Sequence, residues 1–101
     1  MVQAGMYSAT LHYLKAVEAA GTLDTAAVLA KFRSLPVKDF FSENGYVRED
    51  GMHIHDYYLL HAKTLEESKG PWDFYDVVST ISAEDANIPR DQSKCPLMKK
   101  S

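Results

Sequence analysis

NGYVREDGMHIHDYYLLHAK, residues 44–63, decides the fold of this 101-residue chain. Two extended runs flank Asp50-Gly51. An Asp-Gly pair is a strong hairpin signal, because a type I′ turn needs φ > 0 at both central residues. That turn would set Glu49 against Met52, Arg48 against His53, Val47 against Ile54 and Tyr46 against His55. The second arm alternates. Met52, Ile54, Tyr58, Leu60 and Ala62 share one face, interrupted by Asp56; His53, His55, Tyr57, Leu59, His61 and Lys63 share the other. Val47 falls beside Ile54, so turn and pattern agree on one register. The reading is a hairpin over 45–63 that buries its even-numbered face.

Upstream, residues 4–20 read as a helix. Tyr7, Thr10, Leu11, Leu14 and Val17 recur at helical spacing and form the expected buried face; Ser8, His12, Lys15 and Ala19 form the opposite one. Gly21 suits the left-handed position that ends helices. Asp24 is an N-cap for a second helix over 25–34, with Val28, Leu29 and Phe32 as its stripe. Lys31 and Arg33 stand near its end, where the dipole favours cations, and Pro36 stops it. In the connector 37–43, Phe40-Phe41 is the expected anchor into the core.

Downstream, 64–70 is polar and turn-like, with Gly70-Pro71 as punctuation. Residues 72–82 are aromatic and β-branched and predict a third strand with apolar groups on both faces: Trp72, Phe74 and Val78 on one, Tyr75, Val77 and Ile81 on the other. Such a strand needs cover on two sides or a partner. Residues 83–101 predict an irregular tail. The fold class is therefore α+β: two N-terminal helices, then a three-stranded antiparallel portion.

The totals narrow the function. A chain of 101 residues makes one domain at most; it can bury roughly 65% of its unfolded surface, enough to fold with little margin. The net charge is −3, without the basic stripe of a nucleic-acid binder. One cysteine, Cys95, excludes an internal disulfide. No apolar run approaches the ~20 residues of a membrane span. MVQAGMYSAT lacks a basic n-region and an apolar h-region, so the chain as written is expected in the cytoplasm.

Each pattern with chemical potential has a plainer reading. His53 and His55 point the same way on a strand, ~7 Å apart, but Asp56 points to the other face. His61 lies roughly 20 Å beyond His55. Zinc takes three or four protein ligands, so the pair reads better as a solvated strand face. Cys95, between Lys94 and Pro96, reads as a lone thiol, or as one whose partner lies outside this chain; an activated thiolate needs an ordered electropositive pocket. Glu49, Asp50 and Asp56 form no acid–base pair, since two of them sit at a tight turn where pKa values stay ordinary. The aromatic set Tyr57, Tyr58, Trp72, Phe74 and Tyr75 reads as core before it reads as a stacking platform. GxSxG, P-loop, GxGxxG and HExxH motifs are absent. No cofactor is called for.

The order of segments resembles the C-terminal part of the type I periplasmic solute-binding proteins of ABC transporters, the branched-chain amino acid binding group. The segments that carry it are QAGMYSATLHYLKAVEAAGT (3–22), LPVKDFF (35–41), NGYVREDGMHIHDYYLLHAK (44–63) and TLEESKGPWDFY (64–75). No one of them is a site motif; their order is the specific feature.

The resemblance implies a fragment of a two-lobed α/β protein, with residues 1–82 as part of the binding domain and 83–101 as tail. It implies capture of a branched-chain or related amino acid, or another carboxylate, by lobe closure without bond chemistry, and hence no enzyme. It implies a periplasmic location and an ABC permease in the membrane as partner. Val2 and Tyr7 resemble positions that approach the ligand cleft; Tyr7 as an ordinary packed residue stands beside that reading. Family members are several times longer, so the isolated chain is expected to form homo-oligomers through its uncovered faces. The alternative is a stand-alone oligomeric fragment with no solute-binding or transport role.

Overall fold

The computed structural model describes residues 2–98. Helix α1 spans Val2–Ala20 and α2 spans Thr25–Ser34. Gly21 closes α1 at φ 65°, its amide donating to Val17 O at 2.9 Å. Asp24 caps α2, accepting from the Ala27 amide at 3.0 Å. The two helices pack as an antiparallel pair.

The face of α1 that packs is not the expected one. Ser8 (0% exposed), His12 (3%) and Ala16 (0%) are buried, while Tyr7 (55%) and Leu14 (56%) face out. Small and polar residues let the helix sit close, provided that their polar atoms find partners. They do. Ser8 Oγ donates to Asp39 Oδ2 at 2.6 Å, and His12 Nε2 donates to Phe32 O at 2.7 Å with its ring tilted over Phe32. Apolar periodicity misassigned this face because the helix carries two faces worth covering, and in this chain the polar one has the partners.

The hairpin also differs from the sequence expectation. Strands β1 (Tyr46–Val47) and β2 (His53–Ile54) pair as Tyr46 with Ile54 and Val47 with His53, one residue from the expected register. A type I′ turn requires positive φ at Asp50 as well as Gly51, and among these two only Gly51, at 83°, has it. The loop is three residues long instead. Gly51 N donates to Arg48 O and Arg48 N donates to Met52 O, both at 2.9 Å. This is the type I turn followed by a left-handed glycine. The slip puts Val47 and Ile54, both buried, on opposite faces.

The second arm does not run on to 63 as one strand. It breaks at His55-Asp56, and β3 (Tyr57–Ala62) pairs instead with β4 (Tyr75–Ile81). The result is two separate two-stranded ribbons in place of one three-stranded sheet. A bulge at Val78 interrupts the second ribbon: Leu59 pairs with Ser79 and Leu60 with Val77. Every residue of β4 is exposed, so the two-sided apolar strand has neither of the covers its pattern asks for. Trp72, in the connection, holds φ 78°.

The stretch 83–98 is more ordered than an irregular tail. It contains a short helix α3 (Ala83–Ala86), capped by Ser82, and a 3-10 turn (Arg90–Gln92). The Ala83 amide donates to Asp56 Oδ1 at 2.8 Å. With the second ribbon reaching away from the helices, the radius of gyration is 16.7 Å and the extents are 52 × 33 × 17 Å. A compact chain of this length would have a radius of about 13 Å. No helix among the described residues is long and apolar enough to cross a membrane.

Gly45 is the tight point of the connector. A Cβ there would stand 2.6 Å from Ser42 Oγ, 2.8 Å from His53 Nε2 and 3.1 Å from Val37 Cβ. Gly45→Ala is therefore expected to destabilise the fold by about 1–3 kcal/mol. The thermal midpoint, measured by circular dichroism, should fall by roughly 4–8 °C for each kcal/mol.

Candidate functional site

Loop 38–42 decides what stands beside the start of α1. Asp39 organises it: Oδ1 accepts from the Phe41 and Ser42 amides, each at 2.8 Å, while Oδ2 takes the Ser8 hydroxyl. Asp39 N donates back to Ser42 O at 2.8 Å. Burial pulls the Asp39 pKa up, but these three donors together hold it below the usual carboxylate range. Lys15 Nζ ties the loop to α1 from the other side, donating to Lys38 O at 2.9 Å.

The locked loop separates its two phenylalanines. Phe40 is fully exposed, so it is no core anchor. Phe41 turns inward and meets His55 edge-on, ring centroids 4.9 Å apart. The His55 ring in turn stacks on Tyr57 at 4.5 Å and donates from Nδ1 to Asp56 O at 2.7 Å.

The outer side of this arrangement is a groove of about 680 Å³, lined by Gln3, Ala4, Tyr7, Phe40, Phe41 and Tyr58. Tyr7 thus lines a concave surface. Val2, 83% exposed, lies outside that lining. The walls are aromatic, with the Gln3 amide and the tyrosine hydroxyls as polar points. Such a surface suits a small molecule with an apolar body. The sequence reading missed Gln3, Ala4, Phe40 and Tyr58 as groove residues. The repeat of Gln3, Ala4 and Tyr7 along one helix face was the available signal; the loop that brings Phe40 to them has no local signature.

The remaining candidates have structural duties. Among the described residues, no group of three or more His, Cys, Asp or Glu side chains is placed to hold a metal ion. Cys95 is a half-buried free thiol. Glu49 pairs with Arg90, Asp56 caps α3, and Asp50 pairs with Arg48. Asp50 is not an ordinary turn carboxylate. Its side chain is 4% exposed, and the Arg48 guanidinium, against the pull of burial, holds it far below the usual range. The aromatic set is dispersed: Tyr57 under His55, Tyr58 in the groove, and Trp72, Phe74 and Tyr75 in T-shaped contacts leading into the exposed ribbon.

Comparisons with known proteins point to one family. The sequence model of a family described as periplasmic binding protein matches residues 1–71. A crystal structure of a periplasmic binding protein from Burkholderia mallei is 45% identical, with a TM-score of 0.84 over 92% of this chain and 24% of that one. A branched chain amino acid ABC transporter periplasmic ligand-binding protein from Burkholderia xenovorans LB400 is 44% identical, with a TM-score of 0.87 over 96% of this chain and 26% of that one. The chain spans about a quarter of the length of these two proteins. No curated protein matches.

The loop lock is testable. Ser8→Ala removes a buried hydrogen bond to a charged acceptor, an expected loss of about 1.5 kcal/mol. The fold with Ser8 intact should also lose stability as pH falls below the unfolded carboxylate value of about 3.9, because the folded Asp39 pKa is depressed. Urea unfolding of both proteins between neutral and acid pH measures the two effects together. The Ser8→Ala protein should show the smaller pH dependence.

Proposed function

The chain belongs to the periplasmic binding protein family, and from that premise we propose that it contributes one wall of the solute cleft in the binding component of an ABC importer for branched-chain or related amino acids. The observation that carries this reading is the groove at Tyr7. It is concave, aromatic, fixed by the Asp39 loop and open on one side. An aliphatic or aromatic amino acid side chain suits those walls. The α-carboxylate and α-ammonium groups would need hydrogen-bonding partners from an opposing lobe. Capture is then closure of two lobes with no bond made or broken, in the periplasm, followed by delivery to a membrane permease. Val2 would stand at the rim of the cleft and Tyr7 on its wall. Residues 1–82 would act as part of the binding domain, and within the tail that follows, 83–98 ties back to its hairpin.

A thermal-shift series with Leu, Ile, Val, Phe and aromatic acids tests this. A ligand at 100 times its dissociation constant adds about 2.7 kcal/mol, which moves the midpoint of a domain this size by roughly 10–20 °C. One ligand class should shift the protein. Tyr7→Ala, at an exposed position, should lose that shift with little change in the ligand-free midpoint. No shift with any ligand overturns the reading for the chain on its own.

The exposed ribbon favours a second reading, a stand-alone oligomer without solute binding. β4 is exposed along its whole length, and Tyr75, Val77, Val78 and Ile81 lie open with Phe74 and Trp72 beside them. An uncovered apolar ribbon with a free edge recruits partners. Light scattering at tens of micromolar is expected to give more than the monomer mass, and Val77→Lys should return the monomer. A monomeric wild type ends this reading.

A further inference from the structure

Beneath the Asp39 loop lies a histidine that neither reading uses. His53 of β2 is partly buried, and its Nε2 has no hydrogen-bond partner among the described residues. That nitrogen faces the backbone of Gly45, where even a methyl group would come within 2.8 Å. Gly45 belongs to the bridge that closes the loop: Val37 N donates to Gly45 O at 2.8 Å and Gly45 N to Val37 O at 3.2 Å.

A neutral imidazole can leave one ring nitrogen as a bare lone pair, whereas the cation carries N–H on both. Protonation of His53 would therefore press a donor with no acceptor against Gly45. The ionisable groups that face His53 are His55 at a ring distance of 4.7 Å, His12 of α1 and Asp39 of the loop. The two histidines oppose a positive charge when protonated. Asp39 favours one, but its oxygens are already taken by Ser8, Phe41 and Ser42.

We propose that the His53 contact with Gly45 is a proton-operated latch, which holds loop 37–45, and with it Phe40 and Phe41, closed at neutral pH and releases it in acid. Burial foremost, and then His55, lower the His53 pKa. The sign follows. A histidine depressed in the closed state titrates at its ordinary ~6.5 once the loop opens. The latch is whole above that value and weakens as pH falls from it towards the closed-state pKa, by about tenfold in the opening equilibrium for each unit of depression. The role as a regulator of solute binding rests on the proposed function; the latch itself does not.

Amide hydrogen exchange on the full 101-residue chain, without solute, tests the latch. Protection factors are compared at about pH 7.5 and about pH 5, on either side of the ordinary histidine value. Corrected for intrinsic rates, protection at the Val37 and Gly45 amides should fall in acid. The Lys63 amide, bonded to Phe74 O in the second ribbon, should hold its protection. In His53→Gln, which cannot take up the proton, the difference between the two pH values should vanish. Equal protection in the wild type, or an acid loss that persists in a folded His53→Gln, overturns the proposal. If that variant does not fold, the wild-type imidazole resonances decide. His53 must titrate below ~6.5, in step with shifts at Val37 and Gly45. Titration at or above that value sinks the idea. Because no solute is present, a chain that binds nothing still gives the answer. Thermal shifts with solute at both pH values then report whether the latch controls the groove.

Discussion

The guanidinium of Arg48 holds the segment 83–98 to the hairpin. It is nearly buried and its donors are committed. Nε and Nη2 form a two-pronged pair with Asp50, at 3.0 and 2.7 Å, and Nη1 donates to Ile88 O at 2.8 Å. Asp50 completes the arrangement by accepting from the Ser93 hydroxyl at 3.0 Å. One ion pair thus fixes both the hairpin loop and the path of 83–98. A planar fork is what such a site needs, and lysine could supply the charge but not the three directions. Burying two charges costs desolvation, which is offset only when the remaining donors and acceptors are also met. Here Ile88, Ser93 and Met52 meet them. The same pair braces the turn, in which Gly51 and not Asp50 takes the left-handed position, so the loop is three residues long and the strands pair one residue from the type I′ register.

Buried polarity also governs the helical end. Ser8, His12 and Asp39 would be liabilities in an unpaired core. Each is satisfied: Ser8 of α1 by Asp39 of the loop, His12 by the end of α2, and Asp39 also by two amides of its own loop. These bonds do what large apolar side chains do in bigger cores, because few large side chains are enclosed here. Val37 is the largest fully buried one among the described residues. The consequence reaches the groove. The same Asp39 that receives Ser8 turns Phe40 out and Phe41 in, so the concave wall beside Tyr7 is set by a carboxylate it never touches.

Signals carried by local chemistry were legible in the sequence. The Asp24 cap, Gly21 and Pro36 bounded both helices, because capping and φ restrictions act within a few residues. The apolar character of 72–82 was legible too, and so was the order of segments that resembles the periplasmic binding proteins. What depended on partners distant in the chain was not. The buried face of α1 is set by Asp39 and Phe32, between 20 and 31 residues away. The hairpin register follows from a three-residue loop in which Gly51 alone is left-handed, and the order in 83–98 comes from Arg48 and Asp56. Tyr7 could be singled out by resemblance, but the rest of its groove is made by a loop with no periodicity.

The surfaces left open are consistent with one another. α1 buries a polar face and presents Tyr7 and Leu14; the second ribbon presents both of its faces; Phe40 stands wholly in solvent. Scattered exposed apolar residues are normal on a soluble protein. A strand exposed at every position, an outward aromatic helix face and a one-sided aromatic groove are more than scatter. They occur in a chain whose own polar network is nearly complete, with a single buried side-chain nitrogen unpartnered among the described residues. Buried side-chain polar groups thus find partners within the chain, whereas the apolar faces do not find cover. These two demands have different ranges. Polar groups must be satisfied at once and locally, and apolar faces can wait for any surface of suitable shape. A segment that spans about a quarter of its relatives' length and keeps their geometry to a TM-score of 0.84–0.87 meets the first demand from its own residues. The second it leaves open, at the groove and along the ribbon.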